Sequence, residues 1–370
     1  MKISEFKLER YFAEHEFNAP YLLCCSDCES LLVKDLLALE ENGMADFQNL
    51  WLGYTESLGH PDLREAISKL YTHISPDQVL VHSGAEEAIF NFMNVVLEPD
   101  DHIIVHEPGY QSLTEVAQSI GCRVTRWVAD PDRDWRLDLN FLKDNIEPKT
   151  RAVVVNCPHN PTGYLMSRKE FEALIDLSRK HGFLIFSDEV YRLLEYVPDT
   201  RLPALCDRDE RGVSLGVMSK SFGLAGLRIG WIACRNKDLM EKMASFKDYT
   251  TICNSAPSEY LATIALKNKV PIVRRNLDII TENLSGLRAF FDRHQDRFRW
   301  VSPQAGPIAF PRWLGKGTVE EFCRDLLEKT GVLLLPGTLY QGNFQHFRIG
   351  FGRKNLAECM AQLEAYLDIR

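Results

Sequence analysis

The sequence has little of what would send a protein into a membrane, onto nucleic acid or out of the cell. No apolar run approaches the roughly 18 residues that a membrane-spanning helix needs. The first ten residues interleave Lys2, Glu5, Lys7, Glu9 and Arg10 with apolar side chains, so they lack the continuous apolar stretch that directs secretion. Long basic runs are missing, and 43 Lys and Arg against 52 Asp and Glu leave a formal net charge of −9. Both features argue against nucleic acid or an anionic membrane as partner and favour small molecules. Repeats and low-complexity segments are also missing. The ten cysteines are scattered and follow no secretion signal, so reduced thiols of a cytoplasmic protein are expected rather than a disulfide framework. Cys24, Cys25 and Cys28 hold one CxxC spacing. With no second CxxC to complete a zinc site and no strand ahead of it to make a redox motif, they read as small, semi-buried loop residues.

What is present is enough apolar material, 45% of 370 residues, for one large core and a smaller one. Between about residues 78 and 235, short β-rich runs alternate with helical segments. The runs 78–82, 102–106, 123–128, 151–156, 183–187, 213–218 and 229–234 are expected as strands, several of them apolar almost throughout. A helix is expected over 86–97, and Phe171, Leu174, Ile175 and Ser178 fall at helical spacing. This alternation predicts an α/β fold with a parallel sheet between helices, and in such sheets ligands bind outside the strand C-terminal ends. Beyond about residue 240 come longer amphipathic helices, strands at 332–335 and 347–351 and a closing helix at 355–367, the pattern of a smaller α+β lobe. The expected division is a large cofactor-binding domain, 46–250, and a small domain of 251–370 with the N-terminal segment 1–45.

The segment densest in chemistry is Met218-Ser219-Lys220-Ser221-Phe222-Gly223-Leu224-Ala225-Gly226-Leu227-Arg228-Ile229-Gly230-Trp231. An apolar strand delivers Lys220 into a loop of small residues, and Arg228 stands just ahead of the next apolar strand, so both cations face one crevice. Desolvation disfavours an ammonium, and the neutral amine is the form that attacks an aldehyde. Arg228 offers a planar fork to a phosphate. Taken singly they read as a surface lysine and a structural arginine.

Asn156-Cys157-Pro158-His159-Asn160-Pro161-Thr162-Gly163 closes another strand. Its prolines and glycine fix the backbone, so the Asn160 amide is presented rigidly to an oxygen on a bound ring, although NPTG alone reads equally as a tight turn. Asp188, at the next strand end, suits a pyridine nitrogen that must stay protonated, and Tyr191 reaches the same ring face. The plain alternative for Asp188-Glu189 is a helix N-cap. Ser83-Gly84-Ala85-Glu86 forms a strand–turn–helix start whose free N–H groups and dipole favour a phosphate, as in many such turns. Tyr110, after Glu107-Pro108-Gly109, is either core or an aromatic that stacks on a flat cofactor.

In this order the segments resemble those of the class I/II aminotransferases, the fold-type-I pyridoxal-phosphate enzymes, over about Tyr54 to Arg348. The resemblance implies a mostly parallel seven-stranded sheet sandwiched by helices, a smaller α+β domain, and pyridoxal 5'-phosphate (PLP) as cofactor. It implies Lys220 as the Schiff-base lysine and proton shuttle, Asp188 on the pyridine nitrogen, Asn160 and Tyr191 on the ring hydroxyl oxygen, and Tyr110 stacked on the ring. Gly84, Ala85 and Glu86 would offer contacts to the phosphate, with Arg228 as its cation, and Ser219 would be a further cofactor-binding residue. Tyr54, in Gly53-Tyr54-Thr55, resembles the tyrosine that reaches the neighbouring subunit's phosphate, which implies a homodimer. Arg348, in Phe347-Arg348-Ile349, resembles the clamp for the substrate α-carboxylate, with Asn160 beside it. Asp27 and Glu29 lie in the segment that would approach the substrate side chain, where an acid selects a basic amino group or guanidinium.

Two features depart from the family pattern. Val217 stands where a phosphate-binding hydroxyl residue is common, and residues 24–29 do not match the usual glycine-containing substrate loop. The shape of 223–228 looks nearest to the branch with histidinol-phosphate aminotransferases and cobalamin-pathway decarboxylases, and less close to cyclising synthases such as capreomycidine synthase. The expected reaction is therefore transfer of an amino group between an amino acid and a 2-oxo acid. A lyase, decarboxylase or cyclising synthase on the same cofactor is the first alternative. An effector-binding domain of a transcription regulator is the second, and the short non-basic segment before Tyr54 speaks against it.

Overall fold

The apolar runs form one sheet because most of their side chains have no polar face to turn outward. The computed structural model describes residues 2–340, 342 and 344–369. Its main sheet comprises β1 (Val79–His82), β2 (His102–Glu107), β3 (Arg123–Val128), β4 (Thr150–Asn156), β5 (Leu184–Asp188), β6 (Gly212–Val217) and β7 (Gly230–Cys234). The seven strands lie in the order β1-β7-β6-β5-β4-β2-β3. β7 runs antiparallel to both β1 and β6, and every other pairing is parallel.

Alternate residues feed two apolar clusters, one on each face, as the two-residue period of a strand requires. Ile103, Val105, Val154, Phe186 and Leu215 enter one cluster. Ile104, Val153, Val155 and Ile185 enter the other. The edge strand β3 differs: of its residues only Trp127 is fully buried, and Arg123 and Arg126 give the edge the charge that discourages further pairing.

Helices α1 (Lys7–His15), α2 (Gly84–Val96), α3 (Ser112–Ile120), α4 (Arg168–His181), α5 (Lys237–Lys247), α6 (Ala256–Lys267), α7 (Lys269–Arg293), α8 (Val319–Thr330) and α9 (Leu356–Ile369) complete the frame. α4 starts at a capping box in which Ser167 and Glu170 satisfy each other's backbone N–H groups. It buries Phe171, Leu174, Ile175 and Ser178, the residues spaced for one face. Among the described residues no helix is long and apolar enough to cross a membrane.

A second, three-stranded antiparallel sheet of β8 (Ile308–Ala309), β9 (Leu335–Pro336) and β10 (Phe347–Gly350) has β10 in its middle. The run expected as one strand at 332–335 is shared between two partners. Val332–Leu333 pairs in parallel with Tyr21–Leu22, and β9 then pairs with β10. The N-terminal segment is likewise divided. Tyr21 and Leu22 pack with the C-terminal part of the chain, whereas Leu36 and Leu37 join a cluster with Val79, Val81 and Trp231. Leu261, Ala262 and Ile264 of α6 belong to that cluster too, so α6 packs on the main sheet.

Ile185 is fully buried at the sheet centre, whereas Val128 on the edge strand is exposed. Ile185→Ala should lower the unfolding free energy by about 2–5 kcal/mol. Val128→Ala should stay within about 0.5 kcal/mol. Urea titration of the two variants checks this, and equal losses would contradict the placement of the core.

Candidate functional site

The C-terminal ends of the parallel strands meet at one edge. Tyr110 follows β2, Asn160 follows β4, Asp188 ends β5 and Lys220 follows β6. Reversal of β7 brings its first residue opposite the last residues of two strands, Val217↔Gly230 and His82↔Gly230, which draws Arg228 and Gly84 to the same edge. Gly230 has to be glycine, because a Cβ there would lie 2.7 Å from the Gly84 carbonyl carbon. A Cβ on Gly84, whose φ is +84°, would lie 2.6 Å from Arg228 Nη2, so the guanidinium sits against the start of α2.

These residues enclose a cavity of about 410 Å³. Of the residues expected there, Ala85, Glu86, Tyr110, Asn160, Asp188, Tyr191, Ser219, Lys220, Arg228, Arg348 and Asp27 all line it, as does Val217. Gly84 lies at its edge beneath Arg228. Tyr54 does not join them: it is 84% exposed and lines a separate cavity of about 730 Å³ with Trp51, His60 and Tyr260.

Lys220 Nζ donates to Ser26 Oγ at 2.8 Å. Burial pulls the amine below its ordinary pKa, with Asp27 and Asp188 opposing the fall and Arg348 adding to it. Burial pushes the Asp188 carboxyl up to about 7, against the Val190 N–H bond and the Lys220 charge. Glu86 is likewise raised to about 7 by burial, opposed by the hydroxyl of Ser112, which donates to it at 3.1 Å. Tyr191 donates to the Ser26 carbonyl at 3.0 Å.

Asn156 braces this edge. Its Nδ2 donates to the Asp188 carbonyl at 2.9 Å and its Oδ1 accepts the Asn160 N–H at 2.6 Å. His159 joins the loops of Tyr110 and Asn160 through Pro108 O and Thr162 Oγ1, both at 2.7 Å, while stacked on His106.

Arg348 reaches the cavity because it alternates with Phe347 and Ile349, which face the core. It is buried, with Nε donating to Cys24 O at 2.9 Å and Nη1 to Tyr340 Oη at 3.0 Å and Asn160 Oδ1 at 3.3 Å. Asp27, expected to meet a basic substrate group, is held in a two-point ion pair by Arg353 at 3.1 and 2.9 Å. Glu29 accepts the Lys354 N–H and is not among the lining residues. Cys24, Cys25 and Cys28 are buried rather than semi-buried; all three carry free thiols, and only Cys25 lines the cavity.

The sequence reading missed one wall. α1 contributes Leu8, Glu9 and Phe12, and Glu16 follows at its end. Tyr110 turns its hydroxyl to Glu9 Oε1 at 2.7 Å, and the Phe12 ring lies 5.7 Å from the Arg348 guanidinium. Ser26, Arg353 and Tyr340 were missed as well. A helical spacing of 8, 9, 12 and 16 was readable in the sequence, but nothing local says which cavity that face covers.

Comparison with known proteins agrees with this geometry. The pattern describing aminotransferase class I and II matches residues 23–363. Capreomycidine synthase from Streptomyces vinaceus is 28% identical over 93% of this chain and 88% of its own length. Aspartate aminotransferase from Thermotoga maritima is 29% identical over 86% of this chain and 84% of its own. The crystal structure of a PLP-dependent aminotransferase from Streptococcus suis superposes with a TM-score of 0.94 at 30% identity, covering 100% of this chain and 98% of that one. A match running through nearly the whole chain, over a lysine, an aspartate and two arginines gathered around one cavity, makes this protein a member of the class I and II aminotransferases.

Proposed function

We propose that the protein is a PLP-dependent aminotransferase that moves an amino group between an amino acid and a 2-oxo acid. The observation that carries the reading is the half-buried Lys220 amine, facing the same cavity as a buried carboxyl at Asp188 and the Gly84–Arg228 cradle. These residues fit the cofactor: an amine for its aldehyde, an acid for its ring nitrogen, and a helix start with a guanidinium for its phosphate.

When bound, the cofactor supplies the aldehyde and a protonated ring that withdraws electrons from the substrate α-carbon. Lys220, with its pKa lowered by burial, is an effective nucleophile and a base able to hold and return a proton at Nζ. Asp188 holds the ring nitrogen in its protonated form. Asn160 and Tyr191 hold the ring oxygen, Tyr110 stacks on the ring, and Ala85, Glu86 and Ser219 serve the phosphate side with Arg228. Because Val217 offers no hydroxyl, Ser219 and Glu86, whose carboxyl burial pushes up to about 7, are the groups of the cavity that would donate in its place. Arg348 orients the substrate α-carboxylate, and α1 keeps water from the opposite side.

Asp27 serves the substrate side chain through its pair with Arg353 rather than as a lone acid. In this reading residues 46–250 form the larger body, and 1–45 with 251–370 the smaller, apart from the contacts of Leu36, Leu37 and α6 with the main sheet. Ten free thiols suit a reducing cytoplasm.

A homodimer completes the site. Trp51 (78%), Tyr54 (84%) and Tyr249 (89%) are large aromatics left in water in the single chain. Their loops are tied together by Lys247, which donates to Ser57 O and Ile252 O. Tyr54 then reaches the partner's phosphate side. Trp51→Glu should convert a dimer to a monomer in sedimentation; an unchanged mass counts against this face.

Capreomycidine synthase among the relatives favours one second reading, a cyclising or eliminating enzyme on the same cofactor. Given an amino donor alone, an aminotransferase stops after about one equivalent of 2-oxo acid per site, because its second half-reaction has no acceptor. Continued product formation would mean a lyase or cyclase. Borohydride should fix the cofactor to the holo-protein at Lys220 and not to Lys220→Ala, whose turnover should be lost; an adduct elsewhere sinks the reading.

The acid at 188 has a cost that can be measured without the cofactor. Its folded pKa lies above the unfolded value of 3.8, so the folded state binds the proton more tightly and loses stability as pH rises from about 4 through 7. Asp188→Asn should therefore raise the melting midpoint of the cofactor-free protein increasingly between pH 5 and 8. A pH-independent difference would contradict the shift.

A further inference from the structure

We propose that Tyr340 is a positioning residue that fixes which way the Asn160 amide faces and holds the Arg348 guanidinium beside it. The inference rests on the reading of Arg348 and Asn160 given above and assigns a role to a side chain that is not among those lining the cavity.

Tyr340 follows the 3-10 turn Gly337–Leu339, bonded through its N–H to Gly337 O at 3.1 Å. Its buried ring lies edge-on to Phe310 with centroids 5.6 Å apart. The hydroxyl therefore has little freedom. It stands between Arg348 on β10 and Asn160 after β4, 3.0 Å from Nη1 of the first and 3.1 Å from Oδ1 of the second.

Donor and acceptor chemistry settles the directions. A guanidinium only donates, so the Tyr340 oxygen accepts from Arg348, and its single proton goes to Asn160. Arg348 Nη1 also donates to Asn160 Oδ1, at 3.3 Å. The amide oxygen thus receives two donors. Turning the amide over would set its NH₂ against both and leave the phenol proton without an acceptor in a buried place. The Asn160 NH₂ is consequently directed away from this pair and toward the cavity that Asn160 lines. With its backbone N–H held by Asn156 Oδ1 at 2.6 Å, the residue is fixed at both ends. Tyr340 links two functions, a donor for a ring oxygen and a fork for a carboxylate, that arise on different sheets.

The test uses holo-protein and two oxyamine probes followed by the cofactor's visible absorbance: aminooxyacetate, which carries a carboxylate, and O-methylhydroxylamine, which does not. Wild type should prefer aminooxyacetate. Tyr340→Phe should reduce that preference about tenfold, the size expected when a charged group loses a buried hydrogen bond, with O-methylhydroxylamine losing less than aminooxyacetate because it feels only the loosened Asn160 amide. Tyr340→His retains an acceptor for Arg348 and should keep more of the preference. Melting curves of both variants identify any loss of fold, in which case the histidine variant decides. An unchanged preference, or an equal loss for both probes, would overturn the assignment. Wild type that reacts with neither probe would instead count against the PLP reading itself.

Discussion

Asp188 and Arg348 bring ionisable groups to places that water scarcely reaches and Lys220 brings one to a half-buried place, and a group so placed loses hydration if it stays charged without compensation. The surrounding structure answers for them. Arg348 retains its charge among Cys24 O, Tyr340 and Asn160, and the Phe12 ring lies over it. Lys220 rests on Ser26 Oγ. Asp188, with a backbone N–H as its bonded partner and its acidity displaced to about 7, is the group left with most to gain from a cationic ring nitrogen. Side chains that keep part of their desolvation cost until a ligand arrives are a mark of functional sites.

The reversed strand β7 makes that assembly possible. In an all-parallel sheet the residues before a strand open on the far edge; here they open on the ligand edge, so Arg228 meets Gly84 and lines one cavity with Lys220. The close approach depends on two glycines, Gly84 and Gly230, where a single Cβ would collide with a guanidinium or a main chain. Function thus constrains positions that carry no chemistry of their own.

Much of this was legible without coordinates. The strand runs are nearly continuous in apolar residues because the sheet is covered on both faces, and both the α4 spacing and its Ser167–Glu170 start are local signals. Tyr110, Asn160, Asp188 and Lys220 sit at or just after the ends of parallel strands, so their placement followed from the fold class. The strand expected at 332–335 shows the limit: its residues are apolar throughout, and only tertiary packing shares them between Tyr21–Leu22 and β10. Of residues 1–45 the sequence pointed only to the cysteines 24, 25 and 28 and the acids Asp27 and Glu29, since the partners of α1 and of Leu36 lie far away in the chain.

The sequence by itself determined which residues end the strands and which reactive groups they carry, because periodicity and residue type are properties of short stretches. Tertiary structure alone decided how those groups are paired and protonated. Ser26 meets Lys220 across 194 residues and Arg353 neutralises Asp27 across 326. The Asn160 amide takes its direction from Tyr340 and Arg348. Ion pairs and hydrogen bonds act over about 3 Å, a distance that no local pattern specifies for segments so far apart in the chain.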